Sequence, residues 1–561
     1  MDHAAATRLA LLDAAAARAA DAAAVDAGDT WAGLMERAAG HLTRAVVRTG
    51  GHGYGLRVAV LVGRGDNGGD GWAAARRLRD EHGASARVVA LDGIDGEVSE
   101  SCAANRTAWL ARGGYVVTDE VGLHAALEWC DVAVDALLGT GVRGAPRGTA
   151  AVATRALLDA RERGTPVVAC DVPSGVSADD GSAPAGAARA DVTVTFGALK
   201  RGLLLHPGAE HAGQIVVGDL GARWQPDAGD WWALTAAGAR PEAFPVDADK
   251  RRRGVVLVVA GAVGTSGAAV LAADAALRGG AGLVSAFVPS AVRGEVTGRV
   301  DAGVMVHEAS SDPSGALSAD AADLLDVPDR DRPGVDVSRF DAVAAGPGIG
   351  IGPGARAVVE RLLARASRLV LDADGLNLFR EDPTRLADHA GILVLTPHVR
   401  ELARLCGDDP DTVWAERAER VPRLARELDA VIVAKGPGTM VAAPDGRVWV
   451  CPLGSPALGT GGTGDALAGL LAAAVAGAED VALAVARAVW WHAAAGMCAG
   501  RDRADRATAR DVLERIPAVL GALAEPDPVG APAGWPDDPT AGRRGCADVW
   551  AGGRVMLGDP R

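Results

Sequence analysis

Short apolar runs alternate with longer segments of helical period along most of the chain. In the first half the apolar runs predict strands, and segments such as GWAAARRLRDEHG (71–83) predict the helices between them. The predicted strands are 56–63, 86–91, 131–137, 165–171 and 191–197 in the first half, then 254–261, 282–288, 340–346, 368–374, 392–396 and 430–436 in the second. This alternation is typical of parallel α/β sheets.

The alternation of predicted strands and helices is absent from two segments, and these mark the domain boundaries. Residues 223–245 are rich in Pro, Ala and Gly, which predicts a linker. Residues 524–561 are rich in Pro, Gly and Asp, which predicts a disordered tail. Two α/β domains are therefore predicted, at 1–222 and 246–523, and the second closes with helices that begin near Asp465, Asp480 and Thr508. A chain of 561 residues is too long for one core.

Composition narrows the class of protein. Hydrophobic residues make up 49% of the chain and charged residues 23%, which is typical of a globular protein. A formal net charge of −15 argues against nucleic acid as a partner, since phosphate would be repelled. The seven cysteines contain no C-x-x-C pair, and the chain shows neither a secretory pattern nor an apolar span long enough for a bilayer. We expect a cytoplasmic homo-oligomer with no membrane partner.

Lysine is scarce. Of 57 basic residues only three are lysines, Lys200, Lys250 and Lys435. Lysine is a compact point charge and arginine a broad planar fork, so a retained lysine suggests a position where only the compact group fits.

A glycine-rich segment, VGRGDNGGDG (62–71), lies between a predicted strand and a predicted helix. Glycine lets the backbone approach a ligand, and the N-terminus of the following helix favours an anion. We do not interpret the segment as a dinucleotide fingerprint of the G-x-G-x-x-G type, nor as a Walker loop, since no G-K-[ST] follows. The alternative is a tight strand-to-helix connection without a ligand.

Two further strand ends carry acidic residues before glycine-rich turns, at 135–148 and 171–181. Ligands bind at the carboxyl ends of strands in open parallel sheets. Asn67, Asp135 and Ser174 would supply oxygens there, and oxygens suit a hard cation that offsets a diphosphate. Taken singly, each aspartate is equally explained as a helix or turn cap.

These segments, together with LMERAAG (34–40) and FGALKRGLLLHPG (196–208), resemble the NAD(P)H-hydrate epimerase family over roughly residues 5–222. The resemblance implies a Rossmann-like three-layer α/β/α domain, a potassium ion on Asn67, Asp135 and Ser174, and Asp171 as the candidate catalytic residue. The substrate contacts that it implies are Asp66, Asn67, Gly68, Gly69, Asp70, Gly139, Thr140, Gly141, Val142, Arg143, Gly144, Ala145 and Asp171. The family usually has asparagine where this chain has Asp66.

The second half contains the segments AGPGIG (345–350), LDADGLN (371–377), LTPHVRELARL (395–405) and GTGGTGDALAGLLAA (459–473). The glycines of the last segment permit backbone N–H groups to converge on phosphoryl oxygens, with Asp465 placed to accept a proton from an attacking hydroxyl. Asp465 is also explained as a helix cap. Lys435 is a candidate for a nucleotide phosphate, and His398 for a ligand contact, although a lone histidine is often structural.

Together with GAVGTSG (261–267), these motifs resemble the ribokinase-like superfamily, and within it the NAD(P)H-hydrate dehydratases, over about residues 245–523. The resemblance implies a ribokinase-like α/β domain that takes ADP or ATP, with Mg²⁺, as phosphoryl donor, with ADP typical of bacterial fusions. The implied contacts to the hydrated cofactor are Ala268, Gly348, His398 and Asp465. The implied nucleotide contacts are Lys435, Gly436, Pro437, Gly438, Thr439 and Gly464. A glycine is usual in the family where this chain has Arg400.

The two resemblances together predict repair of hydrated NADH and NADPH. The first domain would interconvert the R and S 6-hydroxy epimers, and the second would dehydrate the S epimer with an adenine nucleotide. One alternative is a ribokinase-like small-molecule kinase fused to a nucleotide-binding domain, which would release a stable phosphorylated product. A second is a nucleotide sensor without catalysis, for which Asp465 and Asp171 would have no purpose.

Overall fold

The structure is a computed structural model, and it describes residues 7–141, 143–224, 229–327, 334–524 and 555–557. The chain divides into two compact units at Trp232 and Ala233, and residues 555–557 belong to the N-terminal unit. The division falls inside the segment predicted as a linker.

The elements of the N-terminal unit follow the predicted alternation. They are β1 (Arg8–Leu12), α1 (Ala14–Asp26), α2 (Trp31–Gly50), β2 (Arg57–Val62), α3 (Asp66–His82), β3 (Ser85–Val89), α4 (Glu100–Ala111), β4 (Tyr115–Val117), α5 (Glu120–Trp129), β5 (Val132–Ala136), α6 (Gly148–Glu162), β6 (Val167–Cys170), β7 (Val192–Phe196), β8 (Leu199–Lys200), α7 (Gly208–Ala212) and β9 (Gln214–Gly218). Strand β10 (Trp231–Leu234) lies at the division between the units.

The C-terminal unit has the same alternation. Its elements are β11 (Val255–Val259), α8 (Ser266–Arg278), β12 (Leu283–Pro289), α9 (Arg293–Thr297), β13 (Val304–Ala309), β14 (Ala342–Ala345), α10 (Pro353–Arg365), β15 (Arg368–Leu371), α11 (Asp374–Asn377), β16 (Ile392–Leu395), α12 (Val399–Cys406), α13 (Pro410–Ala415), α14 (Arg417–Glu427), β17 (Ala430–Ala434), β18 (Met440–Ala442), β19 (Val448–Val450), α15 (Thr463–Val475), α16 (Val481–Arg503) and α17 (Ala509–Ala524). A last strand, β20 (Val555–Leu557), pairs with β9 of the N-terminal unit.

The N-terminal sheet has the order β4-β3-β2-β5-β6-β7-β9, and every pair in it is parallel. Counted along the chain, the strands run outward from β2 to β4 and then return to the other side of β2 at β5. This is the doubly wound 3-2-1-4-5-6 order, whose switch point lies between β2 and β5. The predicted Rossmann-like topology is therefore confirmed.

Both faces of this sheet are covered by helices. Val60 of β2 belongs to a core cluster with Leu42 of α2 and Trp72 of α3. Its neighbour Leu61 belongs to a second cluster with Leu157 of α6. Because successive strand residues point to opposite faces, the two clusters are the two interfaces of a three-layer α/β/α domain.

The C-terminal sheet has the order β13-β12-β11-β14-β15-β16-β17-β18-β19. The strands from β13 to β17 are parallel, and β18 and β19 add antiparallel pairs at one side. Helices α8 and α15 pack on each other. Among the described residues, α16 alone has the length and apolar composition of a membrane-crossing helix, yet 83% of its apolar window is buried inside the chain, as in a core helix.

The structure differs from the sequence-based prediction in the start of one helix, in strands within the two segments predicted to lack structure, and in further strands that were not predicted. The further strands are β1, β4, β8, β9, β13, β18 and β19. Helix α3 begins at Asp66 rather than Gly71, because its first turn is glycine and polar residues, which have no apolar period. Strand β10 occupies four residues of the predicted linker, and β20 three residues of the predicted tail, so neither segment is wholly without structure. Residues 525–554 and 558–561 of the predicted tail lie outside the described residues.

Candidate functional site

A cavity of about 970 Å³ opens at the carboxyl ends of the strands in the N-terminal sheet. Its wall includes seven of the predicted substrate contacts, namely Asp66, Asn67, Asp70, Gly139, Thr140, Gly141 and Asp171. Gly68 and Gly69 are buried in the first turn of α3, while Arg143, Gly144 and Ala145 are exposed and do not line the cavity. The prediction for Val142 lies outside the described residues.

The turn from β2 into α3 corrects one interpretation of the sequence. Gly63, Gly65 and Gly68 do have the spacing G-x-G-x-x-G, and they lie where a dinucleotide fingerprint should, between a strand and a helix of a βαβ unit. A Cβ at Gly68 would lie 2.0 Å from the carbonyl oxygen of Gly63, so helix and strand pack too closely for a side chain. A Cβ at Gly65 would meet no atom within 4 Å, so backbone is open to a ligand there.

Asp135 and Ser174 form a fully buried pair beside this turn. Ser174 donates to the two carboxylate oxygens of Asp135, from Oγ over 2.5 Å and from the backbone N over 2.8 Å. Burial raises the pKa of Asp135, and the hydrogen bonds from Ser174 oppose that rise. Within the described part of the chain, no cationic side chain forms an ion pair with this carboxyl.

Asn67 lies next to main-chain carbonyl groups at the ends of two strands. Its Nδ2 donates to the carbonyl oxygens of Leu138 and Cys170, each over 3.1 Å. Leu138 is also joined to the buried pair, because its N–H donates to Ser174 Oγ over 2.9 Å. The three residues predicted to hold a cation are thus brought together with two carbonyl oxygens. Among the described residues, no group of three or more His, Cys, Asp or Glu side chains is arranged to hold a metal ion, so a site here would rely mainly on neutral oxygens.

Asp171 follows β6 and makes a buried ion pair that the sequence analysis missed. Lys200 donates from Nζ to Asp171 Oδ1 over 2.6 Å and to the carbonyl oxygen of Phe196 over 2.9 Å. Thr195 Oγ1 donates to the same carboxylate oxygen over 3.0 Å. The backbone of Asp171 has φ of +62°, a strained conformation for a residue with a side chain and one found often at active sites. The scarcity of lysine was the available signal for Lys200.

Two further carboxyl groups face the cavity. Asp70 is buried, and its burial, followed by the charge of Asp171, raises its pKa well above the usual range. Its Oδ2 lies 3.9 Å from Sγ of Cys170. Asp66, the departure from the family pattern, is exposed and accepts a hydrogen bond from Ser101 Oγ over 2.6 Å. The cavity wall therefore combines a buried carboxyl group, Asp70, with a solvent-exposed one, Asp66.

In the C-terminal unit, Asp465 lies in the first turn of α15, after a turn in which Gly462 has φ of +93°. Burial, followed by the charge of Asp372, raises the pKa of Asp465 to about 6, while Lys435 opposes the rise. Lys435 donates from Nζ to Asp372 Oδ1 over 2.6 Å. A Cβ at Gly464 would lie 3.5 Å from that Nζ, so the turn and the ion pair are neighbours. Asp372 belongs to LDADGLN, but the sequence analysis gave it no role.

The remaining predicted residues of this unit lie on neighbouring strand ends. His398 caps α12, where its Nδ1 accepts hydrogen bonds from the backbone N of Arg400 and Glu401. Its backbone forms a bridge with that of Lys435. Burial, and then the charge of Lys435, lowers the pKa of His398. His398 therefore caps α12 through Nδ1, while its side chain is still half-exposed.

Thr265 joins two of the predicted contacts. Its Oγ1 donates to the carbonyl oxygen of Gly348 over 2.7 Å, and its own carbonyl accepts from Ala268 N over 3.0 Å. The nucleotide segment forms a tight turn in which Thr439 Oγ1 donates to the carbonyl oxygen of Gly436 over 2.8 Å. Pro437 is exposed, and Gly438 has φ of +69°.

Comparisons with known proteins match each half separately and the chain as a whole. Residues 256–518 match the family described as NAD(P)H-hydrate dehydratase, and residues 32–202 match the family described as YjeF-related protein N-terminus. The bifunctional NAD(P)H-hydrate repair enzyme of Moorella thermoacetica is 36% identical over 481 residues, which cover 84% of this chain and 88% of that protein. The enzyme of the same description from Gloeobacter violaceus is 37% identical over 498 residues, covering 87% and 92%.

Among solved structures, the ADP/ATP-dependent NAD(P)H-hydrate dehydratase of Bacillus subtilis, co-crystallised with ATP/Mg²⁺, is 26% identical with a TM-score of 0.42. It covers 52% of this chain and 97% of that one.

Proposed function

This chain belongs to the family of bifunctional NAD(P)H-hydrate repair enzymes, and on that premise we propose which of its residues carry each reaction. It is an NAD(P)H-hydrate epimerase and an NAD(P)H-hydrate dehydratase in one chain. One observation carries the assignment of residues. In each half, a largely buried lysine–aspartate pair lies at the carboxyl edge of a parallel sheet, beside a glycine-rich turn that opens a helix.

For epimerisation, the cavity of the N-terminal unit binds the hydrated dinucleotide. The diphosphate lies against Asp66–Asp70 at the start of α3, where backbone N–H groups and the helix dipole favour an anion. The segment Gly139–Ala145 covers the substrate from the end of β5. Epimerisation at carbon 6 requires transfer of a proton to or from the 6-hydroxyl. Asp171 is the proton carrier, because its carboxylate is held at the cavity wall by Lys200 and Thr195.

A potassium ion fits the donor set beside this cavity. Asp135 brings a buried carboxylate that lacks a cationic partner among the described residues, and Ser174 brings a hydroxyl oxygen. Asn67 lies between the carbonyl oxygens of Leu138 and Cys170, which add neutral oxygens. These residues would hold the ion, and its charge would offset the Asp135 carboxylate and the substrate diphosphate.

For dehydration, Asp465 accepts the proton of the 6-hydroxyl as that oxygen attacks the terminal phosphorus of the nucleotide. A bond forms between the 6-oxygen and phosphorus, and the bond from phosphorus to the nucleotide breaks. Phosphate is a better leaving group than hydroxide, so the ring nitrogen lone pair then expels it as the bond from carbon 6 breaks. Loss of a proton from carbon 5 restores the reduced nicotinamide.

The nucleotide and the hydrated cofactor occupy two sides of Asp465. Lys435–Thr439 and Gly464 hold the adenine nucleotide, ADP or ATP, with ADP as the preferred donor. Three residues on the same edge of the sheet as Asp465 contact the hydrated cofactor: Ala268 in the first turn of α8, Gly348 after β14 and His398 after β16. Magnesium bound to the nucleotide would neutralise phosphate charge, and Lys435 adds a fixed positive charge beside Gly464.

The cysteines bear on the cellular compartment of the protein. Cys102, Cys130, Cys170, Cys406 and Cys451 are free thiols, which supports a reducing compartment such as the cytoplasm. A homo-oligomer stays a prediction, and light scattering of the purified chain measures it directly.

The decisive experiment incubates the full chain with a mixture of R and S hydrates, with and without ADP or ATP. Recovery of reduced-nicotinamide absorbance from both epimers, only with nucleotide, is the expected result. Without nucleotide, either pure epimer should return to the mixture. A stable phosphorylated product without recovery would instead support the kinase alternative, which the relatives of this chain do not favour.

A further inference from the structure

The topology assigns a direction to the dinucleotide in the N-terminal cavity. A dinucleotide crosses a doubly wound sheet at its switch point, here between β2 and β5, with its diphosphate at the turn around Gly65. One nucleoside then lies over β2 and β3, and the other over β5, β6 and β7. Asp171 and Lys200 lie on the second side, so the reacting nicotinamide belongs there. The adenosine therefore lies over β2 and β3.

The side chains at the ends of β2 and β3 form a small polar cluster. Arg64 follows β2, and Asp92 follows β3, its direct neighbour in the sheet. Arg64 Nε lies 3.4 Å from Asp92 Oδ2, and Thr149 Oγ1 donates to Asp92 Oδ1 over 2.6 Å. All three residues line the cavity. An acidic residue after the second strand is where dinucleotide-binding folds contact the ribose 2′-hydroxyl, and a nearby arginine serves a 2′-phosphate.

We propose that Arg64 and Asp92 recognise the 2′ position of the adenosine ribose, so that the epimerase half accepts both hydrates. This inference rests on the proposed function of the cavity. Asp92 accepts a hydrogen bond from the 2′-hydroxyl of NADH hydrate, and Arg64 binds the 2′-phosphate of NADPH hydrate.

Because the ion pair of Arg64 and Asp92 is exposed, Arg64 can exchange the Asp92 carboxylate for a 2′-phosphate. The side chains of Arg64 and Asp92 are 53% and 34% exposed, and an exposed ion pair holds its partners weakly. The guanidinium is therefore available to a phosphate, which it binds through two parallel hydrogen bonds. Without Arg64, the 2′-phosphate would lie beside the carboxylate of Asp92 with no cation between them, and like charges would repel it.

The other arginine on the cavity wall belongs to the opposite end. Arg18 is in α1, one turn before Asp21, which accepts a hydrogen bond from Trp224 Nε1 over 2.8 Å. The ring of Trp224 packs against Gly197, directly after β7. Arg18 is therefore near the nicotinamide side. We expect it to affect both hydrates alike.

The test measures epimerisation by the full chain without nucleotide, so that dehydration does not proceed. Pure R hydrates of NADH and NADPH are converted separately, and the epimers are resolved by chromatography. Arg64→Gln should lower kcat/KM for NADPH hydrate roughly 10- to 100-fold, the loss of a charge-assisted hydrogen-bonded contact, and leave NADH hydrate within about twofold. Arg64→Lys should recover part of the loss. Asp92→Ala should lower kcat/KM for NADH hydrate only.

Arg106→Gln is the matched control. Arg106 donates to the carbonyl oxygen of Gly96, against which Arg64 also packs, but it does not line the cavity. This variant removes the same charge nearby and should leave the ratio of kcat/KM for the two hydrates unchanged.

Retained activity of Arg64→Gln on NADH hydrate shows that the site is folded. An equal loss on both hydrates, or a selective loss in Arg18→Gln instead, would overturn the inference while leaving the epimerase function intact. Failure of the unmodified chain to epimerise either hydrate would overturn the proposed function itself.

Discussion

Lys435 donates a hydrogen bond from Nζ to Oδ1 of Asp372 over 2.6 Å, although the two residues are 63 positions apart in the sequence. The side chain of Asp372 is only 2% exposed, so the lysine is a cationic partner for a carboxyl group that water barely reaches. The pair lies beside Gly464, next to Asp465. The ammonium group is thereby fixed at the place where a nucleotide phosphate would arrive, and a carboxylate is fixed where it alters the proton affinity of Asp465.

Asp465→Asn should abolish dehydration and leave epimerisation unchanged. The amide is nearly isosteric, so the turn should fold, but it cannot take the proton of the 6-hydroxyl, a loss of roughly 10²–10⁴ in rate. Either pure epimer should still return to the mixture without recovery of reduced cofactor. Near-normal nucleotide-dependent recovery would mean that Asp465 only caps α15.

The rate of dehydration should fall on the acid side as pH drops through about 6. Burial, followed by the charge of Asp372, raises the pKa of Asp465 to about 6, and the proposed base works only when ionised. Asp372→Asn removes a nearby negative charge, so the acid limb of kcat/KM for S hydrate should move to lower pH even as the maximum rate falls. If the acid limb stays at the same pH in this variant, Asp372 does not raise the pKa of Asp465.

The positions of strands were predictable because each buried strand is a short continuous apolar run, such as AVIVA in β17. The sequence motifs of the two sites were predictable one by one, but not which of their residues contact each other. Pairing Lys435 with Asp372 requires knowing that β15, β16 and β17 are neighbours, and apolar periodicity does not encode strand order. The G-x-G-x-x-G spacing of Gly63, Gly65 and Gly68, by contrast, is visible in the sequence itself. Strand β10 was missed because four residues are too short a pattern to separate from a Pro- and Ala-rich segment.

Lys200→Met should lower epimerisation by at least about tenfold and leave dehydration of pure S hydrate unchanged. The substitution keeps the buried apolar stem but removes the ammonium group that holds Asp171, leaving a carboxylate on the cavity wall without its cation. Lys250→Met is the matched control, since Lys250 is the exposed third lysine. If Lys200→Met epimerises at the normal rate, the pair serves folding alone.

Epimerisation, but not the binding of nucleotide to the second half, should depend on a monovalent cation. Exchange of potassium for a bulky organic cation should slow the interconversion of the R and S epimers, because no cation would then lie between the Asp135 carboxylate and the substrate diphosphate.

Asp135→Asn provides the complementary change. It removes the buried charge and keeps an acceptor for the hydrogen bond from Ser174 Oγ, but its amide NH2 replaces the oxygen that accepts from the Ser174 backbone N. The response to potassium should weaken, and thermal unfolding of the variant checks that the domain is still folded. Measuring the epimerisation rate at increasing potassium concentrations in both proteins separates the effect of the ion from the effect of the Asp135 charge. A rate that ignores thorough removal of potassium would exclude the ion from the mechanism, whereas an unchanged potassium response in Asp135→Asn would move the ion to another site.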